Sequence, residues 1–396
     1  MRVSARSRVA LVTAIAAGTI AAAVPVGAAP SNNNSEKLRA AVTLEAVKSH
    51  LAAFQSIATA AGGNRFAGLA GHANSAEYVI DQLEAAGYAP VKHTFTYDAF
   101  FENTPSVLEQ VSPTPASYVN GNDFRVMSYS GSGETSAPLA APSGDSRGCV
   151  AADYAGFPTG GIALVQRGTP PGYTNPATGN ACTFRVKTDN ATNAGASAIL
   201  VYNNVPGVVN GTLGATGLSA IPSLGLTQAL GHSLLTQMLS SEVVMHVRTD
   251  TGSQPLETFN VLAEKTGTVN PDNVVMAGAH LDSVTAGPGI NDNGTGSAAI
   301  LETAIRMAKA DTYNTVRFAW WSAEESGLIG ASRYVASLTQ EQRDEIALYL
   351  NFDMVGSPNF ARFVYDGDQS DFPAPQGVTV PEGSDQIEYV FEDFYE

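Results

Sequence analysis

His280, Asp282, Asp292, Glu324, Glu325 and Asp353 are residue types that bind divalent cations or carry protons, and all lie in the second half of the chain. His280-Leu281-Asp282 follows the apolar run Val274–Ala279. Ser322-Ala323-Glu324-Glu325 follows Val316–Trp321, and Asp353 follows Ile346–Phe352. Asp292 sits in the glycine-rich loop Gly287–Gly294, just ahead of a helical pattern. Imidazole nitrogen and carboxylate oxygen are zinc ligands, and a catalytic zinc keeps one position for water. Two zinc ions sharing a carboxylate acidify that water and polarise a carbonyl together, and a carboxylate that is not a ligand can shuttle the proton. The adjacent acids Glu324 and Glu325 suit that division, one binding while its neighbour acts as base. Each residue also has an ordinary reading: acids at strand ends cap helices, a single His after a strand is commonly structural, and Asp282 could be solvated. Their joint placement favours a hydrolytic metal centre.

For these side chains to meet, the runs that precede them must be neighbouring strands. From 257 onward the pattern alternates: Phe259–Glu264 and Val274–Ala279 are strand-like, 296–309 is helical, Val316–Trp321 is strand, 328–338 helical and Ile346–Phe352 strand. Such alternation predicts an α/β fold with a mixed, largely parallel sheet flanked by helices, and ligand sites in such sheets lie outside the carboxyl ends of the strands. Earlier, 43–60 and 74–86 carry apolar residues at helical spacing and 91–97 alternates as a strand. Between about 103 and 255 the chain turns rich in Gly, Ser, Thr, Asn and Pro, with β-like runs Ile162–Val165, Ala198–Tyr202 and Val243–Val247. That reads as a β-rich insert, dividing another domain into 37–102 and 256–396.

Length and charge bound the rest. A chain of 396 residues with 44% hydrophobic content can bury a sizeable core. The formal charge of −16, from 37 acids against 21 bases, excludes nucleic acid and anionic membrane as natural partners. Arg2, Arg6 and Arg8 precede an apolar run from Val9 to Val26, and Gly27-Ala28-Ala29 closes it. This is the layout of a signal peptide over 1–29, so a secreted protein with no membrane attachment after cleavage is expected. An uncleaved anchor is the alternative, against which the run's many Ala, Gly and Thr residues argue. The two cysteines, Cys149 and Cys182, are expected to pair in an exported chain, worth about 3–4 kcal/mol for a loop of that size; two buried free thiols are the alternative.

Four linked stretches, His280-Leu-Asp-Ser, Gly289-Ile-Asn-Asp-Asn-Gly-Thr-Gly296, Trp321-Ser-Ala-Glu-Glu-Ser-Gly-Leu-Ile-Gly330 and Asn351-Phe-Asp-Met-Val-Gly356, resemble the M28 family of di-zinc aminopeptidases. The resemblance covers roughly 40–100 and 255–396. It implies two zinc ions, with His280 and Asp353 on one, Glu325 on the other, Asp292 bridging and Glu324 as general base. It also implies that Asp282 orients the imidazole, and that the Asp292–Asn293 peptide is cis. Peptides with a free N-terminus are the implied substrates, and a monomer is expected. Within the insert, Ile162-Ala-Leu-Val-Gln-Arg-Gly168, Cys182-Thr-Phe-Arg-Val-Lys187 and Ala194-Gly-Ala-Ser-Ala-Ile-Leu-Val-Tyr-Asn203 resemble the protease-associated (PA) domain, a non-catalytic lid or access module. Where the family carries a late His preceded by a Tyr, this chain departs: its histidines are His50, His72, His93, His232, His246 and His280. The expectation is a chain incomplete at its C-terminus that binds the second metal weakly and is nearly inactive alone.

Other readings remain open at this stage. Gly294-Thr-Gly-Ser-Ala-Ala299 matches a dinucleotide-binding pattern, but residues 281–293 separate it from the strand and Asp292 would repel a pyrophosphate. A scaffold that kept the fold and lost its metals, a zinc carboxypeptidase and a glutaminyl-cyclase-like enzyme also fit much of the pattern.

Overall fold

The computed structural model describes residues 35–395 apart from 176–178, 180, 215–216, 361–363, 365 and 375–378. The leader expected over 1–29 lies outside the described residues. Residues up to Ala41 form one unit and Val42 onward another. In the first, α1 (Ser35–Ala41) is a short helix with Glu36 in its first turn and Arg39 in its last, each matched to the helix dipole.

The second unit opens with α2 (Leu44–Ala60), capped by the Thr43 hydroxyl, which accepts from the Ala46 amide at 3.3 Å. Next comes α3 (Ala70–Ala86), ended by Gly87 at φ 100°. The first strand, β1 (Val91–Ser112), leads to β2 (Ala116–Ser117), β3 (Phe124–Val126), β4 (Gly133–Ala140) and β5 (Ile162–Gln166). Then follow α4 (Phe184–Asn193), β6 (Ala198–Tyr202), β7 (Ser223–Leu226), α5 (Gln228–Met238) and β8 (Val244–Lys265). The chain continues through β9 (Asn270–His280), α6 (Thr295–Met307), β10 (Asn314–Trp321), α7 (Ile329–Ser337), α8 (Gln340–Asp344), β11 (Ile346–Asn351) and α9 (Ser384–Tyr395).

The strands join into one sheet in the order β11-β9-β10-β8-β4-β5-β6-β7-β3. β1 runs antiparallel along β8, so β10 and β4 pair with opposite ends of the other edge of β8. β9 pairs in parallel with both β10 and β11, which sets the carboxyl ends of all three side by side. The runs Val243–Val247 and Phe259–Glu264, read from sequence as separate elements of two modules, belong to one continuous strand apart from Val243 itself. The boundaries placed at 102/103 and 255/256 therefore fall inside β1 and β8. The insert is itself layered: β4, β5, β6 and β7 pair in parallel, and α4 and α5 accompany the short strands read from its composition.

Two main cores result. Phe54, Leu83, Val261, Leu301, Phe318 and Trp320 pack α2, α3 and α6 against the site-bearing strands. Phe124, Leu164, Leu200, Leu224, Leu234 and Met245 fill one side of the insert. Burying a side chain of this size contributes about 1.5–3 kcal/mol. Cys149 and Cys182 are joined by a disulfide with their Cα atoms 5.7 Å apart, and the buried Lys187 ammonium donates to the Arg147 and Gly168 carbonyls beside it, at 2.7 and 2.8 Å. Among the described residues no helix is long and apolar enough to cross a membrane.

Candidate metal centre

His280 is the last residue of β9 and is 3% exposed. Its Nδ1 lies 3.2 Å from the backbone carbonyl of Asp282 and 3.6 Å from that residue's carboxylate. Its Nε2 faces Asp292 Oδ1 at 3.1 Å, Asp353 Oδ2 at 3.6 Å and Glu324 Oε2 at 3.8 Å; a cation there would displace the Nε2 proton and leave the ring proton on Nδ1, beside the nearer acceptor. Among the described residues around this point, His280, Asp292 and Asp353 offer ligand atoms that all lie within 4.8 Å of one another. Glu325 stands outside that set, and Asp292 acts on it through charge.

Asp282 is fully buried, which rules out the solvated reading of this residue. Its Oδ1 accepts the Glu324 amide at 3.1 Å and its Oδ2 the Glu325 amide at 3.3 Å. One carboxylate thus fixes the turn after β10 that carries both acids and places negative charge behind the imidazole. The turn itself needs left-handed backbone at Ala323 and Leu328, with φ of 56° and 59°.

Asn293, to which sequence reasoning gave no role of its own, is buried and joins the loop to the end of β11. Its Nδ2 donates to the Phe352 carbonyl at 2.8 Å, and its Oδ1 accepts from Gly296 at 2.9 Å and Met354 at 3.2 Å. Those bonds bracket Asp353 on both sides. Gly296 is required at this junction, because a Cβ there would sit 2.2 Å from the Phe352 carbonyl oxygen. The Asp292–Asn293 peptide is cis. An Asn inside an acid- and glycine-rich loop was the available signal, but its partners are backbone atoms that no pattern reveals.

The electrostatics follow from crowding carboxylates around one imidazole. Burial alone would pull the His280 ring down, yet Asp282, Asp353 and Glu324 overcome it and hold it at about 11. The same field attracts any cation at Nε2. Burial, then Asp292 and Asp282, push Glu325 up to about 7. Burial also raises Glu324, against the opposing pull of His280. Imidazole nitrogen with carboxylate oxygens is a donor set that fits zinc. Beside it opens a cavity of about 650 Å³, lined by Trp321, Leu328, Ala331, Val335 and Tyr349 and reaching His280, Glu324 and Asp353.

The chain matches the models of two families: peptidase family M28 over residues 260–395 and the PA domain over residues 135–234. It is 41% identical over 361 residues to an aminopeptidase of Pseudomonas aeruginosa, covering 88% of this chain and 64% of that protein. To a probable leucine aminopeptidase 2 of Trichophyton verrucosum it is 39% identical over 334 residues, covering 84% of this chain and 62% of the relative. The chain therefore spans just under two thirds of the length of these curated relatives. Among solved structures, an aminopeptidase from Aneurinibacillus sp. strain AM-1 superposes with a TM-score of 0.66 at 27% identity, over 82% of this chain and 73% of that one. A zinc aminopeptidase from Bacillus subtilis shares the fold, with a TM-score of 0.53 at 24% identity over 78% of this chain and 69% of its own.

Proposed function

With residues 260–395 belonging to peptidase family M28 and residues 135–234 to the PA domain family, we propose that this chain acts as a secreted zinc aminopeptidase on peptides with a free N-terminus. The observation that carries the reading is the convergence of His280, Asp292 and Asp353 within 4.8 Å, with Glu324 3.8 Å from the same imidazole nitrogen. His280 and Asp353 would hold one zinc, Glu325 the second, and Asp292 would lie between them. Bound there, zinc would supply Lewis acidity for the scissile carbonyl and the attacking water. Glu324 takes the proton from the attacking water and hands it to the departing amine nitrogen. Asp282 keeps the Glu324 and Glu325 backbone fixed and the imidazole in its ligand tautomer. The largely apolar cavity beside Asp353 receives the side chain of the N-terminal residue, which favours apolar residues. Relatives named leucine aminopeptidases support that preference.

Export suits the same reading, since a disulfide such as Cys149–Cys182 persists in oxidising compartments. Zinc calorimetry on the purified chain, followed by assay of one free-amine peptide and its N-acetylated twin, tests the proposal. Zinc uptake with slow, EDTA-sensitive cleavage of the free-amine peptide alone is expected. Absence of zinc uptake, or equal cleavage of both peptides, would overturn it. Mass determination of the exported product tests removal of residues 1–29.

A further inference from the structure

Arg65 lies in the connection between α2 and α3, more than two hundred residues before the acids of the site, and is 0% exposed. A buried guanidinium normally faces a carboxylate. This one spends its donors on backbone carbonyls: Nε donates to Pro288 at 2.8 Å, Nη2 to Gly289 at 2.7 Å, and Nη1 to Leu281. Its own amide donates to Ser283 Oγ at 2.9 Å, and its carbonyl accepts from the Ser283 amide at 3.2 Å. The Phe54 ring covers the guanidinium, with 5.3 Å from Cζ to the ring centroid. Every one of these polar contacts is to the loop 281–289, whose two ends carry Asp282 and lead into Asp292.

We infer that Arg65 is a positioning residue for the metal centre, pinning the loop between His280 and Asp292 so that both carboxylates meet the imidazole. A loop of that length rich in Gly and Pro has no regular ladder to hold it. The Leu281 carbonyl and the adjacent Pro288 and Gly289 carbonyls are gathered by one planar fork whose donors point in fixed directions. The placement also offsets the cost of burying the charge, because Asp282, Asp292 and Glu325 all act favourably on the guanidinium. Gly289 completes the fit: at φ 59° a Cβ would lie 2.5 Å from the Ser283 Cβ and 3.3 Å from Arg65 Nη2. The inference rests on the metal reading above.

The test is zinc affinity by calorimetry, with the metal alone, on the full chain and on Arg65→Lys and Arg65→Met, alongside thermal melting. Lysine keeps the charge and loses the fork. Both variants are expected to bind zinc about 10–100-fold more weakly, with faster amide exchange confined to residues 284–292. Tyr88→Phe, which removes a partly buried hydrogen bond to the Ala304 carbonyl and touches no residue of the loop, is the control for lost stability without lost affinity. Should Arg65→Met not fold, Arg65→Lys and Ser283→Ala decide. Zinc affinity within twofold of wild type in the folded variants overturns the inference. An equal loss in Tyr88→Phe overturns it too, since the effect would then be stability alone. Failure of the wild-type chain to bind zinc removes the metal reading and this inference with it.

Discussion

His72, on α3, should make this protein sensitive to acid through a single buried imidazole. The ring is 1% exposed. Its Nδ1 meets the Thr258 hydroxyl at 3.4 Å, and its Nε2 has no partner among the described residues. Burial is the main cause that brings its pKa down to about 4; Asp282 opposes that effect and Arg65 adds to it. In the unfolded chain the ring titrates near 6.5, so between pH 6.5 and 4 the unfolded state binds the proton and the folded state refuses it. The stability this site contributes is therefore whole above pH 6.5 and is lost as pH falls toward 4. Linkage gives a loss of about 1.4 kcal/mol at pH 5.5 and about 2.5 kcal/mol at pH 4.5. Urea unfolding of wild type and His72→Leu across pH 7.5 to 4.5 isolates the term, because every other titration is shared. The difference between the two stability curves should shift by those amounts in favour of the variant on acidification. Curves that stay parallel across the range would show that the buried ring is not excluded from protonation.

The division of roles at the metal centre separates two substitutions. Asp353→Asn should weaken zinc uptake, whereas Glu324→Gln should retain zinc and lower kcat by about 10²–10⁴-fold; calorimetry and steady-state kinetics read the two, and the reverse pattern would exchange the assignments. Asn293→Ala removes three hydrogen bonds around Asp353 and should cost about 3 kcal/mol or more in urea unfolding, since each buried group left unpaired costs about 1–3 kcal/mol; a loss under 1 kcal/mol would mean that Asn293 does not hold the junction. Reduction of the disulfide, which closes a separation of 33 residues, should lower stability by about 3–4 kcal/mol, and amide exchange should show the loss within the insert. An unchanged melt in a dithiol would contradict this.

What the sequence displayed and what it concealed divide along a physical line. His280, Glu324 and Asp353 were legible because metal-capable side chains directly follow apolar runs, and parallel pairing of β9 with β10 and β11 brings such ends together. Arg65 and Asn293 were not, because their partners are backbone carbonyls and amides, which every sequence possesses. The start of α3 was read four residues late: Gly71 resembles a helix breaker, whereas a Cβ there would lie 1.9 Å from the Asn64 carbonyl oxygen, so the glycine serves packing. The continuity of β8 was hidden by Gly252-Ser253-Gln254-Pro255, a turn signal on any local reading. Over that stretch β8 pairs with β1 but with neither β4 nor β10, and a proline on a strand with one open edge need not break a ladder bond.

That continuity has a mechanical consequence. β1 and β8 are each 22 residues long, a ribbon of about 70 Å, and it is rooted at one end among the strands that carry the candidate metal centre and at the other in the insert. Two lobes joined by loops swing on a hinge; two lobes sharing a beam can only flex it. Compliance concentrates where the ladder falters, between Glu102 and Val107 of β1. The insert is thus sprung toward one resting pose, and displacing it loads the ribbon, which returns it without a latch.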